Sequence, residues 1–311
     1  MKSLITLIFL LFANLAYAQP ILYGQVGVPI IVDLPTYVAS DKGFFKKRNL
    51  DVPEPIRFNG SAISFVALIR GDIKFISAGL FIAIQDRYNN APISIGKAVT
   101  YSASYLYVAP RIKSMTDLRG KKVTAGGEND ITRYHAEIML EANGVTDNDW
   151  HWAPDAAKRL MALSSGEISA AVLIPPFTFM GDQQGFTRIT KVSDYKQTYH
   201  KGLVFQTEWA NSNPEKVQAI TDAINESIEW IYDEKNRTEA AQILSKYSGS
   251  NIESSLNSYD LALKDRYFIL DNTISKSIID HMVSVARKWG NIKRPNIPME
   301  EIVLKNIKIT P

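Results

Sequence analysis

Apolar and polar positions in this chain alternate in blocks whose period switches between two and about three and a half. Ile21 to Val28 is a β-branched, apolar run of the kind that forms a buried strand. Pro35 opens a short helical stretch that Gly43 stops, and Leu50 to Phe58 is a second strand candidate broken by Pro53 and Pro55. Ser61 is placed to cap a helix with Ile63, Val66, Ala67 and Ile69 on its apolar side, ending at Gly71. A strand at Lys74 to Ala78, a helix at Leu80 to Tyr88, and strands at Ile93 to Thr100 and Tyr105 to Ala109 follow. This β-then-α rhythm predicts an α/β fold with a mainly parallel sheet and helices on its faces.

A second unit begins near Arg111. Asp130 is placed to cap a helix whose apolar stripe is Ile131, Tyr134, Ile138, Met139 and Ala142, with Gly144 ending it. Trp150 to Ala153 reads as a strand, Pro154 to Ser165 as a helix and Ala170 to Ile174 as a strand. Pro175-Pro176 marks a helix start, and Phe186 to Val192 returns as a strand. After Gly202 one strand, Leu203 to Phe205, precedes a helical tail. Its longest helix starts at Pro214 behind Asn213 and presents Val217, Ile220, Ile224 and Ile228 on one face.

The first eighteen residues, MKSLITLIFLLFANLAYA, carry Lys2, an apolar run from Leu4 to Phe12 and the small-x-small pattern Ala16-Tyr17-Ala18. The apolar run is far short of the ~20 residues that span a bilayer. It is therefore expected to be a cleaved export signal, with a mature chain starting at Gln19. The 311 residues include no cysteine, which excludes a disulfide framework, a zinc-thiolate site, a thiol nucleophile and a lipid-modified N-terminal cysteine. An exported chain without that tether is expected to diffuse freely in a periplasm. Thirty-five Lys and Arg against 32 Asp and Glu give a net charge of +3, too mild to point to a nucleic-acid binder.

Catalytic patterns are few in the sequence. The four histidines, His135, His151, His200 and His281, form no HExxH or comparable ligand pair, and no calcium loop is present. His135 and His281 read as packed or surface residues. No GxSxG elbow, Walker loop or GxGxxG follows a strand. Asp117, Asp155 and Asp182 fall in turns or at helix starts, where carboxylates cap backbone N–H groups. No catalytic residue, metal or cofactor is expected.

Four strand-to-helix junctions remain: Ile31 to Pro35, Asn59-Gly60-Ser61, Ser77 to Leu80, and Ala125 to Arg133. In open α/β sheets, ligands sit beyond the carboxyl ends of strands, where such loops converge. Helix starts there favour anions. Arg133 is placed either to clamp a carboxylate or sulfonate, or to pair with Glu137 as an ordinary surface arginine.

Three stretches carry a resemblance: Pro35 through Lys47 (PTYVASDKGFFKK), Ala67 through Phe75 (ALIRGDIKF) and Asp117 through Val123 (DLRGKKV). Leu140 to Val145, Ile174 to Phe177 and Asn213 to Val217 extend it to about Trp230. In this order they resemble the periplasmic solute-binding proteins of the nitrate/sulfonate/taurine and thiamine-pyrimidine-precursor group of ABC importers. The resemblance implies the two-lobed type II periplasmic-binding-protein fold, with lobe one at residues 19–110 and 203–311 and lobe two at 111–202. The helical tail would pack on lobe one, and crossovers near Ala109–Ile112 and His200–Leu203 would form a hinge. The implied pocket is lined by Leu34, Pro35, Asn59, Gly60, Ser61, Gly79, Leu80 and Tyr101 from lobe one. Gly127, Asn129, Thr132, Arg133, Pro176 and Phe177 complete it from lobe two. The implied function is capture of a small organic anion (a sulfonate, carboxylate or aromatic acid) by a monomer that delivers it to an inner-membrane permease. A pyrimidine precursor of thiamine is the alternative ligand. Competing classes are a sensor partner of a membrane receptor and an enzyme on the same fold. Fungal pyrimidine synthases need a cysteine-rich motif that this chain lacks, and the related dehydratases lack an export signal.

Overall fold

A computed structural model describes residues 19–305 and 307–311. The expected export signal at residues 1–18 lies outside the described residues. In chain order, β1 (Tyr23–Val26), α1 (Leu34–Asp41), β2 (Ile56–Phe58), α2 (Ser61–Arg70), β3 (Phe75–Gly79), α3 (Leu80–Tyr88) and β4 (Ile93–Ala98) lead to β5 (Tyr105–Val108). Then β6 (Lys122–Ala125), α4 (Ile131–Glu141), β7 (Asp149–Trp152), α5 (Ala156–Ser164), β8 (Ala170–Leu173), α6 (Phe177–Gln183) and β9 (Thr187–Lys191) lead to β10 (Lys201–Gln206). The tail contains α7 (Thr207–Ser212), α8 (Pro214–Tyr232), α9 (Arg237–Ser248), α10 (Ile252–Lys264), β11 (Thr273–Ser275), α11 (Lys276–Lys288), α12 (Met299–Ile302) and β12 (Lys308–Thr310).

Two five-stranded sheets result, ordered β2-β1-β3-β10-β4 and β7-β6-β8-β5-β9. The two orders are the same pattern. In each, four strands run in one direction and the strand entering from the other lobe inserts antiparallel: β10 between β3 and β4, β5 between β8 and β9. Both sheets are thus mixed, with the parallel part supplying the junctions that face the cleft.

The strand at Tyr105 corrects the expected lobe boundary. Tyr105 pairs with Leu173 and Lys191, so the crossover precedes it and residues 105–110 belong with the second sheet. Local sequence marks a strand but not its partners, which here lie more than sixty residues away. The first connection therefore runs through Thr100–Ser104, and the return passes it at Thr198–His200. Ser102 N donates to Thr198 O at 2.9 Å and His200 N to Thr100 O at 2.9 Å, while Tyr101 and Tyr199 stack at 5.7 Å. Two hydrogen-bonded crossovers side by side form the junction of the lobes.

Side-chain alternation along β5 separates two cores. Tyr105 and Tyr107 join the larger cluster, whereas Leu106 and Val108 face a smaller one with Val123, Met139, Leu140 and Val172. The tail packs on the first lobe through α8 and α9 against α1 and α11 against α3. It is not wholly helical, because β11 and β12 pair in parallel, strands too short for periodicity to reveal. Asp130 caps α4 as expected, with its Oδ1 accepting from Thr132 N at 2.9 Å. Ser61 does not cap α2: Gly60 holds that position, and Ser61 sits in the first turn with its hydroxyl free to act elsewhere. Among the described residues no helix is long and apolar enough to cross a membrane.

Candidate binding cleft

The parallel strands of both sheets end at a common cleft. A cavity of about 50 Å³ lies there, bordered from the first lobe by Val26, Val28, Ile30, Ser61, Gly79, His200 and Lys201. The second lobe contributes Asp130, Ile131, Thr132, Pro154, Asp155, Ala156, Arg159 and Ile174. That volume holds a few water molecules or one compact polar head group.

The lobes touch around it. Ser61 Oγ donates to Asp130 Oδ2 at 3.0 Å, and Ile31 N donates to Pro175 O at 2.8 Å. A Cβ added at Gly79 would stand 2.9 Å from Ile131 Cγ2, so glycine permits this approach. Gly27, at φ +66°, lies equally close to Asp155: a Cβ there would stand 3.1 Å from the Asp155 Cβ. The lobes are closed against each other.

Charge is concentrated on the cavity floor. Asp33, wholly buried, is ion-paired with Lys201 and accepts from Gln25 Nε2 at 2.5 Å and Ile30 N at 3.1 Å. Arg159, only 3% exposed, comes from an otherwise apolar face of α5 beside Ala156, Leu160 and Leu163. Its Nε donates to Val172 O at 2.7 Å and its Nη1 to Ala153 O at 3.0 Å. These two bonds fix the guanidinium, and Nη2 has no acceptor among the described residues. Burial lowers the Arg159 pKa, partly offset by Asp130 and Asp155. His200 is held well below the ordinary histidine range, first by burial and then by the charges of His135, Lys201 and Arg159. Its Nδ1 has no partner among the described residues.

The carboxylates at the rim differ from these cations in one respect. Asp130 Oδ1 accepts from Thr132 N and from Thr132 Oγ1 at 2.7 Å, and its Oδ2 takes Ser61. Asp155 accepts from Lys158 N at 2.9 Å and pairs with Lys158 Nζ at 3.3 Å. Both Asp130 oxygens are engaged by the protein itself and Asp155 is held by Lys158 alone, while donors on Arg159 and Lys201 are left over. Such donors attract an anion.

Of the residues expected to line the pocket, Ser61, Gly79 and Thr132 border this cavity. Leu34 and Pro35 are buried in α1, because the turn at Ile31–Asp33 carries the chain inward and leaves Val28 and Ile30 at the cleft. Asn59 and Gly60 lie before α2, off the cavity lining. Leu80 is buried in the first lobe, its N–H donating to His200 O at 3.1 Å. Tyr101 belongs to the crossover, and Phe177 is buried behind Pro176, the second residue of a cis peptide. Gly127 is off the lining, and Asn129 instead bridges to Gln85 and Asn291.

Arg133 takes the second of its two expected placements, the pair with Glu137. Its Nε donates to Glu137 Oε1 at 2.8 Å, its Nη1 to Glu128 O at 2.8 Å, and its guanidinium lies 4.1 Å from the Trp289 ring. Trp289 Nε1 in turn donates to Glu137 at 2.7 Å. The arginine ties α4 to the tail rather than facing the cleft. Arg159, Lys201 and Asp33 were missed. The signal that betrays Arg159 is its place on the apolar stripe of its own helix, where an unpaired charge is costly.

Comparison with known proteins adds to this geometry. A family model described as NMT1/THI5 like matches residues 32–237, well over half of the chain. The chain belongs to this family. No curated protein matches it in sequence. The periplasmic aliphatic sulphonate binding protein SsuA from Escherichia coli superposes with a TM-score of 0.75 at 16% identity, covering 94% of this chain and 94% of that one. The periplasmic nitrate-binding protein NrtA from Synechocystis PCC 6803 gives 0.74 at 14% identity, covering 89% and 83%. The desulfurization enzyme DszB gives 0.66 at 10% identity, covering 92% and 96%. At these identities the likeness is one of fold: this NMT1/THI5-like chain has the two-lobed periplasmic-binding-protein architecture, which serves both solute-binding proteins and an enzyme. Among the described residues no group of histidines and carboxylates is placed to hold a metal ion.

Proposed function

We propose that this NMT1/THI5-like chain is the solute-binding component of an ABC-type importer. It captures a small organic anion between its lobes and presents the closed form to a permease. The observation that carries this reading is the imbalance at the cavity: Arg159 Nη2 and the Lys201 ammonium retain donors, whereas Asp130 is engaged by Thr132 and Ser61. Each charge-assisted bond to an anion contributes about 1.5–3 kcal/mol. Family membership and the fold shared with SsuA and NrtA support the same role. Lobe one is residues 19–100 with the chain from about 201 onward, and lobe two lies between the crossovers. Closure about them makes loaded and empty protein distinguishable to a partner. Export through residues 1–18 places the protein in the periplasm as an untethered monomer.

A pyrimidine precursor of thiamine is the second reading. It is favoured by Asp155, whose Oδ2 has only Lys158 Nζ at 3.3 Å as partner and can accept from an amino group. A thermal-shift screen of residues 19–311 against sulfonates, carboxylates, nitrate and aminopyrimidines separates the two. A ligand at 100 times its Kd stabilises by ~2.7 kcal/mol. The expected result is stabilisation by an anion that Arg159→Gln weakens about tenfold or more. Stabilisation by aminopyrimidines alone, or an unaffected Arg159→Gln variant, overturns the anion reading. Turnover of a stabilising ligand assigns the chain to the enzyme class that DszB exemplifies.

A further inference from the structure

Away from the cavity just described, a groove of about 300 Å³ is lined by residues of α2 and α3 together with Asn129 of the second lobe and Asn291 of the tail. Phe65, Val66, Ile69 and Ile82 make its apolar walls. Asp86 also lines it, and its carboxylate makes no hydrogen bond or ion pair with any described residue. Neighbouring Arg87 is turned away, donating to Glu301 O at 2.6 Å and Ala91 O at 3.2 Å. Burial raises the Asp86 pKa to about 6, and no nearby cation counters it.

A carboxylate drawn partly out of water with no partner is unfavourable for folding and calls for a cation. A divalent metal ion is a poor match, since hard cations need several oxygen ligands and the groove offers one carboxylate among apolar side chains. An ammonium on an apolar stem matches better. Its charge meets Asp86, its remaining N–H donors meet amide oxygens, and its stem covers the Phe65 and Ile82 wall. The groove spans both lobes: Gln85 Nε2 donates to Asn129 O at 3.2 Å, and Asn291 Nδ2 to Asn129 Oδ1 at 2.8 Å. It is therefore complete only when the lobes are together, and whatever occupies it favours closure.

We propose that this groove is a second small-molecule site, one that takes a primary ammonium ion on a short apolar stem and is assembled by closure of the lobes. The site stands apart from the anion cavity and does not depend on the ligand read for it. The test is titration calorimetry of residues 19–311 with n-butylammonium chloride, and with n-butanol as the uncharged control. The expected result is saturable binding of n-butylammonium, none of n-butanol, and a loss of about tenfold or more in Asp86→Asn. Because the carboxylate has no protein partner, Asp86→Asn is expected to unfold at an equal or higher urea concentration. Asn129→Ala, which removes the side-chain link to Asn291, is expected to weaken n-butylammonium severalfold. Equal binding to wild type and Asp86→Asn, equal binding of n-butanol, or no saturable binding overturns the site. A destabilised Asp86→Asn protein assigns Asp86 a structural role instead, and an unaffected Asn129→Ala variant refutes assembly by closure.

Discussion

Lys201→Met isolates the ion pair on the cavity floor. In the wild type the Asp33 carboxylate is wholly buried, the Lys201 side chain is 6% exposed, and the remaining donors to Asp33 are Gln25 Nε2 and the Ile30 N–H. Removing the ammonium leaves a buried negative charge with two neutral donors, which costs about 3–5 kcal/mol. That is a large part of the 5–15 kcal/mol typical of a folded protein, so roughly a fifth or more of the stability is at stake. Asp33→Asn is milder. Asparagine still accepts from Ile30 N, and Lys201 borders the cavity, where water reaches it; about 1–2 kcal/mol is expected. The double variant Asp33→Asn/Lys201→Met should cost little more than Asp33→Asn alone, giving a coupling of about 3–4 kcal/mol. Urea unfolding followed by circular dichroism measures all three. Binding supplies a second test. Asp33→Asn frees Lys201 from its counter-ion and is expected to tighten an anionic ligand, whereas the double variant folds but binds that ligand about tenfold or more weakly. Additive effects of the single changes, or an Asp33→Asn variant that loses anion affinity, would refute the reasoning.

Three further outcomes follow from the same cleft. Gly79→Ala adds a methyl group facing Ile131 Cγ2 at 2.9 Å while keeping an ordinary backbone (φ −60°, ψ 125°). The overpacking cost of about 1–3 kcal/mol should fall on the closed form alone, lowering ligand affinity about tenfold with little change in the unfolding midpoint of the free protein. Arg133→Ala removes the contact with Glu137 and Trp289 rather than a ligand contact. It is expected to leave anion affinity within about threefold, to cost about 1–2 kcal/mol of stability and to shift tryptophan fluorescence. His135 is buried, and desolvation depresses its pKa to about 3 from 6.5. A depressed histidine contributes stability above pH 6.5 that is lost as pH falls toward 3. Between pH 7.5 and 5.5 the loss from this residue is about 1.4 kcal/mol. His135→Gln should remove that share, leaving the contribution of His200, which has the same sign, and an unchanged pH slope would exclude it.

Much of the fold was legible because local chemistry agreed with the final structure. Buried strands such as Phe75–Gly79 and Ala170–Leu173 are apolar apart from Ser77, and Asp130 and Asp155 cap α4 and α5 through their own side chains. Partnership between distant segments was not legible. Tyr105–Val108 reads as a strand in either lobe, and only its pairing with Ala170–Leu173 and Thr187–Lys191 assigns it. The site was harder still. Of the junctions that glycines and helix starts marked, Ser61, Gly79 and Thr132 border the cavity. Which side chains turn inward depends on details such as the tight turn at Ile31–Asp33.

Arg133 and Arg159 show how an arginine's partners decide its role. Arg133 follows a glycine-rich strand end, as an anion clamp should, yet Glu137 one turn later and Trp289 from the tail engage both faces of its guanidinium. An arginine with nearby partners contributes to packing between elements. Arg159 has no acidic residue one turn on in its helix; it is anchored by two backbone carbonyls that leave one end of the guanidinium open. Carbonyl anchoring holds the charge in place without neutralising it, which is what a buried anion site requires. The same distinction separates Lys201, paired with Asp33 at the floor, from Lys191 and Lys288, whose partners Asp265 and Glu141 lie at partly exposed contacts between lobe two and the tail. Exposed pairs of that kind contribute at most about 1 kcal/mol and are screened by salt. Closure should therefore weaken only modestly with ionic strength at these rim contacts, while affinity for the proposed anionic ligand is expected to depend on the two buried cations.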